Sequence, residues 1–269
     1  MEGYLWLIAL GFIVGTYGTL IGAGGGFVLV PALLLLYPHE NPEIITSISL
    51  AVVFFNALSG SWAYGRLKHI DYKSGLLFAS ATIPGAILGA LSTAYVPRRL
   101  FDGILGILMI VASIFLILYV NKKSGESKRN YPFVINLVDK NGTAFKFSYN
   151  PMVGVGLSCL IGYLSSFLGI GGGIIHVPVL VNLLNFPVHI ATATSHFILA
   201  IMALTGTVVH IVTGTFSSGV HRTIALAIGV LLGAQIGALL SERVRGRRII
   251  QSLAIALGFV GVRVFLMAF

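Results

Sequence analysis

Charged residues are scarce in this sequence: Asp, Glu, Lys and Arg make up only 9% of the 269 residues, whereas 57% are hydrophobic. A soluble domain carries roughly 25% charged residues, so the composition excludes an ordinary soluble globular protein. The stretch 103–120 has 18 residues and no charge, and about 20 apolar residues span a bilayer. The sequence therefore predicts an all-α polytopic membrane protein.

Cysteine pairs, nucleotide-binding motifs and catalytic clusters are also lacking. Cys159 is the single cysteine, which excludes an internal disulfide. The sequence contains no P-loop, so we do not expect the chain to be its own ATPase. It shows neither a nucleophile spaced to meet a base nor a set of metal ligands. We therefore expect no enzymatic activity, no metal and no cofactor.

Carboxylates are missing from the centres of the full-length apolar runs, and Asp102 lies at the start of its run. This pattern argues against a proton relay built from Asp and Glu. Coupling to protons through His176 or His196 stays open, because histidine titrates near neutral pH.

Basic residues give the chain a net charge of +9, and they lie mostly in short loops between apolar runs. This distribution is typical of the positive-inside rule, which sets the orientation of membrane helices. It argues against nucleic acid as a partner.

Glycine is abundant, and it interrupts the same kind of apolar run twice. The two stretches are GTLIGAGGGFVLVPALLLL at 18–36 and SSFLGIGGGIIHVPVLVNL at 165–183, and their glycines and proline match at an offset of 147 residues. Internal repeats of this kind are a hallmark of secondary transporters. We predict a first transmembrane repeat at 1–120, a linker at 121–150 and a second transmembrane repeat at 151–269.

Each repeat consists of one glycine-broken element and three full-length apolar runs. The arms of the broken elements are 4–20 with 26–37 and 151–168 with 173–185, and the full-length runs are 44–64, 73–95, 100–120, 189–213, 220–241 and 248–268. If each broken element crosses the membrane once, the repeats are parallel and the loops carry ten basic residues on one side and six on the other. If each is a hairpin that enters and leaves on one side, the repeats are inverted and the division is thirteen to three. The positive-inside rule favours inverted repeats, with the linker in the cytoplasm and both termini outside.

The linker has a pattern of its own. Apolar and polar residues alternate on both sides of DKNG, and Asn-Gly between alternating runs is a strong hairpin signal. We predict a small cytoplasmic β-hairpin at about 132–149. It serves either as a rigid connector between the repeats or as a regulatory element.

The glycine breaks are the best candidates for a substrate site. Non-helical backbone at membrane depth is tolerated only where it lines a cavity or is buried in protein, and a new helix N-terminus attracts anions. The predicted backbone ligands are Gly24, Gly25, Gly26, Gly171, Gly172 and Gly173. The alternative is that these glycines only let helices pack closely.

Polar residues on the neighbouring runs complete the predicted substrate site. Ser49 and Ser195 occupy matching positions in the two repeats, although Ser and Thr in membrane helices often bond to their own backbone. The other predicted members are Thr194, His176, His196, Asn56 and Gln235. Arg263 is either a counter-charge for the substrate or a residue near the chain end that reaches the membrane surface.

The doubled GxGGGxxxVP motif, at 22–31 and 169–178, resembles the TauE/SafE family of membrane permeases. The TS element after each motif, YGRLKHIDY at 64–72, VPRRLFDGILG at 96–106 and the DKNG hairpin are similar to that family as well. The resemblance covers nearly the whole chain and implies an inner-membrane exporter of sulfite, sulfoacetate or a related sulfonate. One departure is that His176 stands where the first repeat has Leu29, so the two halves do not offer a substrate the same side chains.

Together these patterns predict a secondary transporter with alternating access, whose partners are a small anion and the lipid bilayer. A passive anion channel, a transporter of another small carboxylate or oxyanion, and a structural subunit that binds nothing are the alternatives. The sequence leaves a homodimer open.

Overall fold

The computed structural model describes residues 5–120, 133–140, 142–243 and 246–267. These residues form ten helices and one two-stranded sheet. In chain order they are α1 Leu5–Ile21, α2 Gly26–Leu36, α3 Pro42–Arg66, α4 Tyr72–Thr93, α5 Arg98–Val120, β1 Phe133–Val138, β2 Ala144–Tyr149, α6 Pro151–Leu168, α7 Gly173–Asn182, α8 Val188–Val212, α9 Val220–Arg243 and α10 Gly246–Met267. A 3-10 turn at Thr215–Gly219 precedes α9.

Five of the described helices are long and apolar enough to cross a membrane: α3, α4, α6, α8, and α9 together with its preceding turn. The number and length of these helices confirm the prediction of a mostly helical, multi-pass membrane protein. Helix α6 has 18 residues, about 27 Å at 1.5 Å per residue. Its bounds match the arm 151–168 expected from the sequence, which is long for a hairpin arm that crosses only half of the membrane.

Both predicted helix breaks are present, and glycine conformation explains them. The chain between α1 and α2 has positive φ at Gly22, Gly24 and Gly25, with values of 81°, 75° and 82°. The chain between α6 and α7 has positive φ at Gly169 and Gly171. Residues with a Cβ rarely adopt such angles, so these positions end one helix and redirect the next.

Glycines also set the direction in which the long helices pair. Gly60 of α3 packs against His196 of α8, and Gly206 of α8 packs against Leu50 of α3. As residue numbers rise along α3 they fall along α8, so the two helices are antiparallel.

The corresponding pair α5 and α10 is antiparallel too. Gly106 packs against Phe265, and the hydroxyl of Ser113 donates to the carbonyl oxygen of Ala254 at 2.7 Å. Helices at matching positions in the two halves therefore point in opposite directions.

The first arm of each broken element pairs in a parallel sense with a helix of the other half. Gly11 and Gly15 of α1 pack against Leu226 and Val230 of α9. Helix α6 lies along α4 in the same way, with Gly85 and Gly89 against the backbone at 159–167. Each first arm is thus held along a full-length helix of the opposite repeat.

Contacts at the helix ends show where each broken element returns. Arg98, at the start of α5, donates to the carbonyl oxygens of Leu34 at 2.9 Å and Glu40 at 2.8 Å, just at and after the end of α2. Glu40 also pairs with Arg222 at 3.0 Å, near the start of α9. Because α9 and α1 begin at the same end of the bundle, α2 returns to the end from which α1 starts.

The second broken element returns to the opposite end. The amide of Asn185, which follows α7, donates to the carbonyl oxygen of Ser148 at 3.3 Å, just before α6 begins. We call this end, where α3 finishes and α4, α6 and α8 begin, the linker end. The end where α1 begins is the terminal end.

The predicted hairpin is present as an antiparallel pair of strands, with Phe133 opposite Tyr149. It packs on the linker end: the rings of Phe147 and Phe186 are 4.4 Å apart, and the Tyr149 hydroxyl bonds to Ser74 at the start of α4. The hydroxyl is buried with its ring, and this burial raises the pKa of Tyr149 to about 12. The first part of the linker, 121–132, lies outside the described residues.

Candidate functional site

The two broken elements meet at their glycines. We call Gly22–Gly26 turn 1 and Gly169–Gly173 turn 2, and all ten of their residues are buried. A Cβ at Gly26 would lie 2.5 Å from the carbonyl oxygen of Ile170, and one at Gly173 would meet the backbone of Gly22 and Ala23. The backbones of the two turns are therefore in direct contact, and only glycine allows this approach.

Each turn is also held by a serine from a long helix. The hydroxyl of Ser49 on α3 donates to the carbonyl oxygen of Gly169 at 2.6 Å, and that of Ser195 on α8 donates to Gly22 at 3.3 Å. The structure thus brings both predicted serines to the turns. Their protons are directed to carbonyl oxygens of the turns themselves.

The turns carry helix N-termini, as the sequence predicts. Gly25 is the N-cap of α2 and Gly172 is the N-cap of α7. Within the described residues, the N–H groups of Gly25, Gly26 and Gly172 find no acceptor. Free N–H groups and the positive end of the helix dipole favour a negatively charged ligand there.

A polar cluster lies beside turn 1. The hydroxyl of Thr19, in the last turn of α1, donates to Oδ1 of Asn56 at 3.1 Å and lies 3.1 Å from Nε2 of His196. The Tyr64 hydroxyl donates to the carbonyl oxygen of Thr19 at 2.7 Å. All four side chains are buried, so this cluster is desolvated. We call Thr19, Asn56 and His196 the polar triad.

Sequence reasoning identified Asn56 and His196 but missed Thr19. A signal was present, because Ser166 occupies the matching position at the offset of 147 and gives the second repeat a hydroxyl there as well. What the sequence could not show is that α1, α3 and α8 converge at one point.

Turn 2 has no equivalent of the polar triad. The residues matching Thr19, Asn56 and His196 are Ser166, Met202 and Leu50. Met202 lies beside turn 2, with its Sδ 3.3 Å from the position of a Cβ at Gly172. Beside turn 2, two apolar side chains therefore stand where turn 1 has an amide and an imidazole.

Two other predicted residues, His176 and Thr194, lie in different surroundings. Nε2 of His176 pairs with the Ser158 hydroxyl at 3.1 Å, which joins the two arms of the second broken element. The Thr194 hydroxyl accepts from the N–H of Asp71 at 3.1 Å, where α4 begins.

Gln235 links α9 to α3 by donating to the carbonyl oxygen of Ser59 at 2.9 Å. Arg263 is exposed on α10, which favours a surface role over a counter-charge at the turns.

A cavity of about 260 Å³ lies between α5 and α7. Every residue that lines it is apolar, so it offers no hydrogen-bond donor from a side chain to an anion. The lining residues are Leu108, Val111, Ala112, Phe115, Ile174, Ile175, Pro178 and Val179.

Comparisons with known proteins agree with this architecture. Residues 7–264 match the family described as Sulfite exporter TauE/SafE. A probable membrane transporter protein, YunE of Bacillus subtilis (strain 168), is 34% identical over 264 residues, which is 96% of each chain. Another, MJ0441 of Methanocaldococcus jannaschii, is 23% identical over 95% of this chain and 93% of its own. No solved structure matches the chain.

Proposed function

Because the chain belongs to the Sulfite exporter TauE/SafE family, we propose that it is a secondary transporter that exports a small sulfur oxyanion such as sulfite, sulfoacetate or a related sulfonate. The observation that carries this proposal is the meeting of two helix N-termini at buried glycine turns, in the part of the bundle where α3 and α8 cross.

The proposed substrate site lies where turn 1 and turn 2 meet. The N–H groups of Gly25, Gly26 and Gly172, which find no acceptor within the described residues, would donate to the anion's oxygens, as helix N-termini do in other anion sites. Within the described residues, no Lys or Arg side chain bonds to either turn. A dipole-based site suits a transporter because it binds an anion without a fixed positive charge that would hold the anion too tightly.

The pairing of helices supports inverted repeats. Matching helices α3 and α8 are antiparallel, and so are α5 and α10. If these helices cross the bilayer, the axis that relates the repeats lies in the membrane plane, as in many secondary transporters. Each broken element would then be a re-entrant hairpin, and turns 1 and 2 would be their tips.

The distribution of basic residues supports one orientation. The loops and linker at the linker end contain thirteen Lys and Arg residues, against three in the loops at the terminal end. The positive-inside rule then places the linker end in the cytoplasm and both chain termini outside.

Transport would require the two turns to separate. In this structure their backbones are in contact and all ten residues are buried, so the site is closed to both sides. Each turn is bonded to a serine of α3 or α8. Rocking of one hairpin against that helix pair would open the site to one side at a time.

The direct test is sulfite flux in proteoliposomes that contain the purified chain. We expect saturable uptake of labelled sulfite that is accelerated by unlabelled sulfite on the opposite side, because a carrier reorients faster when loaded. Flux that stays linear with concentration and shows no such acceleration would indicate a passive channel. Exchange of small carboxylates but no sulfur oxyanion would overturn the proposed substrate class.

A further inference from the structure

Asn56 is a polar side chain beside turn 1 whose hydrogen bonds are incomplete. It is fully buried, and its Nδ2 has no partner within the described residues, although its Oδ1 accepts from Thr19. A buried amide donor without an acceptor costs free energy, because its bonds to water are lost and not replaced. A folded chain keeps such a group where another interaction compensates for the cost.

We propose that Asn56 is the specificity-determining donor for the transported anion, and that the anion binds mainly at turn 1. This inference rests on the proposed function and makes it more specific. Nδ2 of Asn56 would donate to one oxygen of the anion while the N–H groups of Gly25 and Gly26 donate to others.

In the structure, the amide of Asn56 points its Oδ1 toward Thr19. The single proton of the Thr19 hydroxyl goes to Oδ1 of Asn56, so Nε2 of His196 donates to Thr19. This chain of bonds makes Oδ1 the acceptor and leaves Nδ2 as the free donor. Turning the amide over would leave Oδ1 without a donor, so one atom of Asn56 lacks a partner in either orientation.

Two members of the triad, and Ser195 next to His196, contact turn 1. The N–H of Gly22 bonds to the carbonyl oxygen of Thr19 at 3.0 Å, and the Ser195 hydroxyl bonds to the carbonyl oxygen of Gly22. The His196 ring also interacts with the backbone of Gly22. Asn56 is therefore held, through Thr19, beside the last turn of α1, which leads into turn 1.

The side chains around turn 2 differ from those around turn 1. Met202 matches Asn56 and lies against turn 2, and a thioether cannot donate a hydrogen bond. Leu50 matches His196 and cannot orient a neighbour through hydrogen bonds. Turn 2 has N–H groups and the Ser165 hydroxyl beside Gly172, but no amide at the position that matches Asn56, which is why we assign recognition to turn 1.

The test exchanges these matching residues one at a time. Asn56→Met places in the first repeat the side chain that the second repeat has, and Met202→Asn is the matched control. For each purified full-length variant, sulfite flux in proteoliposomes and the shift in melting temperature on adding sulfite in detergent are measured. We expect Asn56→Met to raise the half-saturating sulfite concentration at least about tenfold, the typical effect of losing a donor to a charged group. Met202→Asn should change it less than about threefold.

Stability without ligand separates recognition from a structural role. We expect Asn56→Met to melt at or above the temperature of the unchanged chain, because it removes an unsatisfied buried amide, and yet to gain little stability from sulfite. If Asn56→Met melts lower and loses function in proportion, Asn56 is structural and the inference is wrong.

Equal flux in Asn56→Met and the unchanged chain, or equal losses in both variants, would overturn the inference and leave the proposed function intact. If the unchanged chain transports no sulfur oxyanion, the proposed function fails and the inference fails with it.

Discussion

The two glycine turns make similar backbone contacts but have different surroundings. Both begin a helix at a glycine N-cap, both touch the opposite turn, and both receive a serine hydroxyl on a carbonyl oxygen. Only turn 1 has an amide and an imidazole beside it, because Met202 and Leu50 replace them at turn 2. The two repeats therefore share the backbone contact and the serine bonds of the site. They differ in the side chains around it, because the amide and the imidazole lie beside turn 1.

The largest expected effect comes from filling the contact between the turns. Gly26→Ala and Gly173→Ala each force a Cβ into the backbone of the opposite turn. We expect both variants to lose about 3 kcal/mol or more of stability and all transport, because the backbone of the opposite turn cannot shift to make room for the added Cβ.

Thermal unfolding in detergent and sulfite flux measure these losses. Gly156→Ala is the control, because nothing lies within 4 Å of a Cβ there, and it should unfold at or above the normal temperature. If one turn tolerates alanine and the other does not, their backbones are not equivalent.

The next largest effect is expected to distinguish the two buried histidines. Each of them is matched by a leucine in the other repeat. His196→Leu removes the partner of Thr19 beside turn 1, whereas His176→Leu removes only the bond to Ser158 within the second hairpin. We expect His196→Leu to lower sulfite flux at least about tenfold, and His176→Leu to lower it less than about threefold. Flux is measured at equal amounts of inserted protein. A larger loss of flux in His176→Leu would instead indicate that the anion is recognised at turn 2.

The two serines should differ by a smaller amount. Ser49→Ala and Ser195→Ala each leave a buried carbonyl oxygen with one donor fewer, which typically costs about 1–3 kcal/mol. The Ser49 bond is 2.6 Å long and the Ser195 bond 3.3 Å, so we expect Ser49→Ala to lower the melting temperature more. The reverse order would show that turn 1 depends more on its serine than turn 2.

The smallest effect is expected at Arg263, which is exposed on α10. Arg263→Gln should change the half-saturating sulfite concentration less than about twofold, because exposed positions remote from a site contribute little. A tenfold change would instead identify Arg263 as a counter-charge for the substrate.

The sequence was sufficient to predict the helices, the two breaks and the β-hairpin. Each depends on local information: apolar runs long enough to span a membrane, glycines that permit positive φ, and Asn-Gly between alternating residues. The doubled glycine motif also located both turns. These features need no knowledge of which segments meet.

The contacts of the site could not be predicted in the same way. Thr19 and His196 are 177 residues apart along the chain, and they meet because α1 and α8 both pack against α3 at Gly60. His176, by contrast, was expected to act at the turn because it follows the glycines closely. The helix directs its side chain to Ser158, so nearness along the chain was a poor guide to the position of the side chain.

The most direct test of the account is an experimental structure of the chain with a bound oxyanion, using selenite as the heavier analogue of sulfite. The account predicts anion density within hydrogen-bond distance of the N–H groups of Gly25 and Gly26 and of Nδ2 of Asn56. Density at turn 2 without turn 1, or in the apolar cavity between α5 and α7, would contradict it. So would turns that remain in backbone contact at saturating anion with no density between them.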